Sequence, residues 1–201
     1  MLSRNQIDNQ ISVRYIAGYF VFWQDCFFAI ALTSESKGLI IMCSQTKKMK
    51  KANFNKVRPD RSLLAGKRNY FVGDVILHDI SKDIGMTDQK VYYAAFKNGA
   101  RTKMHFHEGS QTLVVTHGTG LLVTFRKKGL RGRKVKIAQE ARLNLKSGDV
   151  AYIPKRTLHL HGAKGGKDFG HVAFNGFSSN GREAKTMWYD SDFRSYATKI
   201  Q

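Results

Sequence analysis

The sequence predicts an all-β domain, a sandwich or barrel, behind an N-terminal stretch of different character. Two observations carry this. Residues 70–77, 91–96, 112–116, 121–125, 135–138, 150–153 and 171–174 are short runs rich in β-branched and aromatic residues, separated by Gly, Asn, Asp or Lys clusters. Their centres recur at roughly 8–12 residues, the spacing of a strand-and-turn meander. The chain has 201 residues, 42% of them apolar and 11% aromatic, enough for one well-buried core.

Composition removes several classes. Two cysteines, Cys26 and Cys43, with no C-x-x-C, exclude a disulfide scaffold, a zinc ribbon and a thioredoxin-like site. Two prolines exclude a Pro-rich linker protein. The sequence has no G-x-x-x-x-G-K-[ST] and no G-x-S-x-G, and no repeat of 20–50 residues. Lys and Arg number 34 against 15 Asp and Glu, a net charge of +19.

Residues 15–32, YIAGYFVFWQDCFFAIAL, hold seven aromatics and no Lys or Arg. Arg4 and Arg14 precede the run, and Ala29-Ile30-Ala31 resembles a signal cleavage site. Against a spanning helix stand Gln24 and Asp25 and a length at the short end of the roughly 20 residues required. Residues 1–48 therefore admit four readings: upstream codons before a start at Met42 or Met49, an extension on the domain, a secretory signal, or a membrane anchor. The expected compartment is the cytoplasm, or outside it if 15–32 is a genuine signal or anchor. Residues 49–68 read as a basic, solvated lead-in. The barrel is expected over 69–190 and a tail over 191–201, with a strand or helix somewhere in 186–201 covering the barrel.

The histidines carry the chemistry. Six of seven fall between His105 and His171. His105-Phe106-His107 follows the turn at Asn98-Gly99. Residues two apart in a strand share a face, so both imidazoles can converge on one ion. Gln111 has the same parity, and its side-chain oxygen reaches that point if the strand bends around Gly109. His159-Leu160-His161 repeats the spacing some fifty residues on, after the turn and strand Gly148 to Pro154.

Gly99-x5-His105-x-His107-x3-Gln111-x6-Gly118 resembles the first cupin motif, and Gly148-x5-Pro154-x4-His159 the second. The resemblance covers about 69–190 and implies a single double-stranded β-helix, or jelly-roll, barrel. Within that family, Gly99-Ala100-Arg101-Thr102, Gln111-Thr112-Leu113 and His159-x-His161-Gly162-Ala163 resemble small cupins related to bacterial manganese-dependent hydroxynitrile lyases. That resemblance implies one divalent ion on His105, His107, Gln111 and His159, with His161 as a nearby base. Two positions depart from the general pattern. Gln111 stands where a Glu is usual, and Arg156 stands where the Pro-x-Gly turn has its glycine. Three imidazoles and a carboxamide leave the full charge on the ion, which strengthens it as a Lewis acid. Mixed N/O donors suit manganese, iron or zinc without choosing among them; with the resemblance, manganese or iron is the expected ion, zinc or nickel being compatible.

His171 and Asn175 share one face of the strand 171–175 and are expected to line the pocket. Thr112, Phe96 and Tyr152 read as core, His117 as a turn residue and His78 as structural. Residues 126–136, RKKGLRGRKVK, hold seven basic residues in eleven and read as a solvated β-hairpin. A polyanion such as nucleic acid is the sharper alternative for that surface, disfavoured by its lack of interleaved aromatics. The expected partners are a small-molecule substrate and further copies of the chain; a membrane is not expected. Function is left among a metal-dependent lyase, an iron oxygenase and a non-catalytic binding module.

Overall fold

The computed structural model describes residues 22–23, 26–32, 39–45, 49–56, 70–131, 134–177 and 181–200. The chain divides into two units, Met1–Lys50 and Lys51–Gln201. In the first, β1 (Phe22–Trp23), β2 (Cys26–Leu32) and β3 (Leu39–Gln45) form an antiparallel sheet. The described part of the apolar run 15–32 is therefore extended, in keeping with its aromatic and β-branched content. Arg4, Arg14 and residues 15–21 lie outside the described residues. Among the described residues, no helix is long and apolar enough to cross a membrane.

The second unit is the all-β barrel. Its elements are β4 (Phe71–Val72), β5 (Val75–Asp79), α1 (Ile80–Ile84), β6 (Lys90–Phe96), β7 (Arg101–Thr102), β8 (Met104–His107) and β9 (Gln111–Arg131). There follow β10 (Lys134–Lys146), β11 (Val150–Ile153), β12 (Leu158–Ala163), β13 (Phe169–Asn175), β14 (Thr186–Ser191) and β15 (Tyr196–Lys199). The one helix is a single capped turn. The Asp79 side chain accepts from the Lys82 N–H, and Gly85 ends it in the left-handed region.

The 21-residue strand β9 organises the jelly roll. Its first half pairs with β11 and β13, and its second half with β10 and β12. The switch falls at Gly118, which has φ +77° and leaves no room for a Cβ beside the Asp168 carbonyl. The main core fills the space between the two halves, around Phe96, Leu113, Leu122, Leu145 and Phe169.

A second core explains why β12 is buried on both faces. The pairings β12–β8–β14–β15–β10–β9 return to β12 and close a six-stranded ring. Met104, Val123, Phe125, Ile137, Leu158, Leu160, Tyr189 and Ala197 form one buried cluster drawn from all six strands. Strand alternation then sends the other parity, His105, His107, His159 and His161, to the opposite face. Residues 191–201, expected as a tail, contain β15, which is hydrogen-bonded to both β10 and β14. Trp188 and Tyr189 signal a strand in sequence; its long-range partners are not encoded locally.

Three further expectations change. Tyr152, read as core, is 66% exposed because β11 alternates outward at Val150 and Tyr152. His117 lies within β9 and its ring packs against Gly170, where an added Cβ would meet it. The lead-in is not wholly solvated, since Phe54 stacks on Tyr93 at 5.4 Å; residues 57–69 lie outside the described residues. The basic stretch forms the distal β9–β10 hairpin, where Lys127 lies over the Phe106 ring at 4.6 Å.

Arg156 adopts φ +62°, so the turn keeps the left-handed conformation that glycine serves at this position in the family pattern. Its N–H donates to the His107 carbonyl at 2.7 Å, tying the turn to the end of β8. A β-carbon in this region costs about 1–2 kcal/mol, partly offset by the larger unfolded-state entropy of glycine. Arg156→Gly should therefore raise stability by up to about 1 kcal/mol, and Arg156→Val should lower it by about 1 kcal/mol or more. Urea midpoints of the two variants check this.

Candidate metal centre

His105 and His159 face each other across the β8–β12 pair. His107 and His161 follow one pleat along, on the same faces. The ring centroids of His105 and His159 are 4.2 Å apart, and those of His105 and His107 5.0 Å. One ligand atom from each of His105, His107 and His159 lies within 4.8 Å of the other two, and all three residues are buried.

The hydrogen bonds around these rings point outward. His105 Nδ1 donates to the Lys103 carbonyl at 2.9 Å, and His159 Nδ1 to the Thr157 carbonyl at 2.7 Å. His107 Nδ1 pairs with the Thr186 hydroxyl at 2.8 Å. A neutral imidazole that donates through Nδ1 keeps its lone pair on Nε2. Outward bonds of this kind fix ring tautomer and orientation at metal sites.

Gln111 could bring a fourth donor. Its Nε2 donates to Asn175 Oδ1 at 2.8 Å, which turns Oε1 toward His159 Nε2 at 3.3 Å. With the His159 proton on Nδ1, two acceptors face each other across that gap. Such an apposition is unfavourable unless a cation lies between the lone pairs. The donor set thus fits a divalent ion. Asn175, expected only to line the pocket, is the residue that orients Gln111. The β13–β9 register that places Asn175 opposite Gln111 is the information the sequence lacks.

Burial governs the protonation of the cluster. It pushes His105 and His161 well below the ordinary imidazole range, helped by neighbouring histidines, and takes His159 to about 4 and His171 to about 3. All four are neutral near pH 7, the form that can ligate or accept a proton.

His161 is held in place by its backbone: its N–H donates to Thr102 Oγ1 at 3.1 Å, and its carbonyl accepts from the same hydroxyl at 3.2 Å. Its buried Nδ1 has no hydrogen-bond partner. His171 packs against both Phe96 and Phe169, at 5.6 and 5.4 Å, meets the His161 ring edge-on at 4.8 Å, and leaves both nitrogens without partners. These groups line a cavity of about 310 Å³ together with Phe71, Phe96 and Trp188. Trp188 also stacks on His105 at 4.3 Å and on Tyr70 at 4.6 Å. Trp188 and Thr186 escaped the sequence reading. The alternation Thr186, Met187, Trp188, Tyr189 sorts them to one face, but only the pairing with β8 places that face on the histidines.

The lowered imidazole pKa values fix a pH dependence. The unfolded chain binds protons on His159 and His171 near pH 6.5, the folded metal-free chain only near pH 4 and pH 3 respectively. The unfolded state therefore holds more protons between those limits, and stability falls as pH drops through them. The thermal midpoint of metal-free protein should decline from pH 6.5 toward pH 4. His171→Phe should make the decline shallower, a comparison that calorimetry reads directly.

Comparison with known proteins agrees with the fold. Residues 88–194 match the family model described as Cupin. No curated protein matches the sequence. Among solved structures, a cupin-like protein from Thermotoga maritima is 28% identical over 61% of this chain and 81% of its own, with a TM-score of 0.47. A cupin 2 conserved barrel domain protein from Rhodopseudomonas palustris is 16% identical over 60% and 70% respectively, with a TM-score of 0.45. Bacillus subtilis oxalate decarboxylase, a protein with Mn(II) centres, is 18% identical over 51% of this chain and only 25% of its own, with a TM-score of 0.39. The matched segment 88–194 exceeds half of the 201 residues, and the chain belongs to the cupin family.

Proposed function

We propose that this cupin is a metal-dependent enzyme of the lyase type, acting on a small oxygenated molecule. The observation that carries the reading is the apposition of Gln111 Oε1 and His159 Nε2 at 3.3 Å beside His105 and His107. His105, His107, His159 and Gln111 would hold one divalent ion, manganese or iron by donor type. When bound, the ion supplies an undiminished double positive charge that polarises a substrate oxygen. His161 accepts the proton of the substrate hydroxyl, since it is neutral and lines the cavity. Phe71, Phe96 and Trp188 give the remainder of the substrate a water-poor, apolar wall.

The sequence resemblance to manganese-dependent hydroxynitrile lyases suggests a cyanohydrin as first substrate to try. Loss of the hydroxyl proton to His161 would accompany cleavage of the carbon–carbon bond to cyanide, leaving an aldehyde; the proton then leaves with cyanide as hydrogen cyanide. The absence of a carboxylate among the four donors favours this Lewis-acid reading over an iron oxygenase built on two histidines and a carboxylate.

Three variants test the roles. His107→Ala should lose most bound manganese by elemental analysis; full retention would remove His107 from the site. His161→Ala should retain the metal yet lower mandelonitrile cleavage by about 10²-fold or more, the usual worth of a positioned base. Unchanged turnover would refute the base. Gln111→Glu should tighten manganese binding and slow turnover, because a carboxylate cancels one unit of the charge; weaker binding would contradict Gln111 as a donor.

A further inference from the structure

Outside the cluster of His105, His107 and His159, the cavity wall carries a carboxylate with a fixed backbone. Glu183 forms an isolated bridge with Phe177, and Ala184 beside it is buried. The Glu108 N–H donates to the Lys185 carbonyl at 2.9 Å, which docks the same segment on the end of β8. There is no slack at this contact: a Cβ on Gly109 would lie 2.9 Å from the Ala184 Cβ and 2.6 Å from the Gly176 carbonyl. The buried Tyr92 hydroxyl donates to Glu183 Oε1 at 3.1 Å. Burial and the adjacent carboxylate both push the phenol pKa up, so Tyr92 remains a donor at any working pH.

Tyr92 and Glu183 line the same cavity as His105, His107 and His161. The phenol engages Oε1 most closely, and the exposed carboxylate keeps further acceptor capacity for a ligand. Lys185 also reaches the lining, but as an exposed side chain on a flexible stem it can place its charge in solvent. An anchored carboxylate favours a ligand that offers it a proton donor and repels a second carboxylate.

We propose that the Tyr92–Glu183 pair sets the substrate class, selecting molecules whose end remote from the metal carries an ammonium or hydroxyl group and rejecting those ending in a carboxylate. The inference rests on the reading of the cavity as a metal-dependent substrate site, and the test separates the two.

The probes are hydroxamates, which anchor on the ion and differ only in the tail. Butanohydroxamate, 4-aminobutanohydroxamate and succinic monohydroxamate form one set, and the corresponding six-carbon compounds a second. Calorimetric titration of the manganese-loaded full chain should show the ammonium tail binding about three- to tenfold tighter than the neutral one at one or both lengths, with the carboxylate tail weakest. Glu183→Gln should bring the three within about twofold of one another while leaving the neutral probe unchanged, whereas Lys185→Gln should preserve the ranking. Binding of the neutral probe with a flat ranking at both lengths, or a ranking that survives in Glu183→Gln, would overturn the inference and leave the metal site standing. Failure of the neutral probe to bind at all would overturn the metal-site reading, and this inference with it.

Discussion

The site depends on one constraint: where the imidazoles of the cluster direct their single N–H. In His105 and His159 it goes outward, to backbone carbonyls two residues back, just before their strands begin. That leaves lone pairs to converge, and Gln111, turned by Asn175, adds an oxygen rather than a proton to the same point. A cluster of acceptors without a donor is costly in a dry interior. A cation would resolve it; among the described residues lining the cavity the only positively charged side chain is the exposed Lys185, which can place its charge in solvent.

The fold makes this arrangement affordable by burying both faces of β8 and β12. One parity of each strand enters the closed six-stranded ring, where Met104, Leu158 and Leu160 pack with side chains from the other strands. The other parity presents the histidines. Because the apolar parity is locked inside the ring, a one-residue slip of β12 would move His159 into the ring and Leu160 into the site. The same ring core therefore fixes the register on which the donor geometry relies. Thr102, which bonds both backbone groups of His161 within β12, and the Arg156 turn, which holds the His107 carbonyl at the end of β8, pin the two strands.

Much of this was legible in the sequence, and what was not has a common cause. Alternation alone puts His105 with His107 and His159 with His161, because parity is a local property of a strand. The glycine-punctuated, β-branched runs likewise announce the barrel. Partners across strands are set by long-range register, which one sequence does not display. Asn175 does line the cavity as its parity predicts, but its bond to Gln111 follows only from the β13–β9 register, and the placing of Trp188 and Thr186 beside the histidines only from the β14–β8 pairing. Tyr152 failed for a related reason: an aromatic on an alternating strand is core only on the covered face, and β11 turns that face to Ala151 and Ile153. Glu183 carried no signal, being a single acid in an irregular segment that only the Phe177 bridge and the Tyr92 bond make notable.

The central claim is that three Nε2-ligating imidazoles and a carboxamide hold one ion. Pulsed electron paramagnetic resonance of the manganese-loaded full chain, with its histidines labelled in turn by nitrogen-15, tests it most directly. The account predicts direct manganese–nitrogen coupling from three histidines, abolished one at a time in His105, His107 and His159 variants and unaffected in His161→Ala. Coupling from His161, or from fewer than three of the predicted rings, would contradict it.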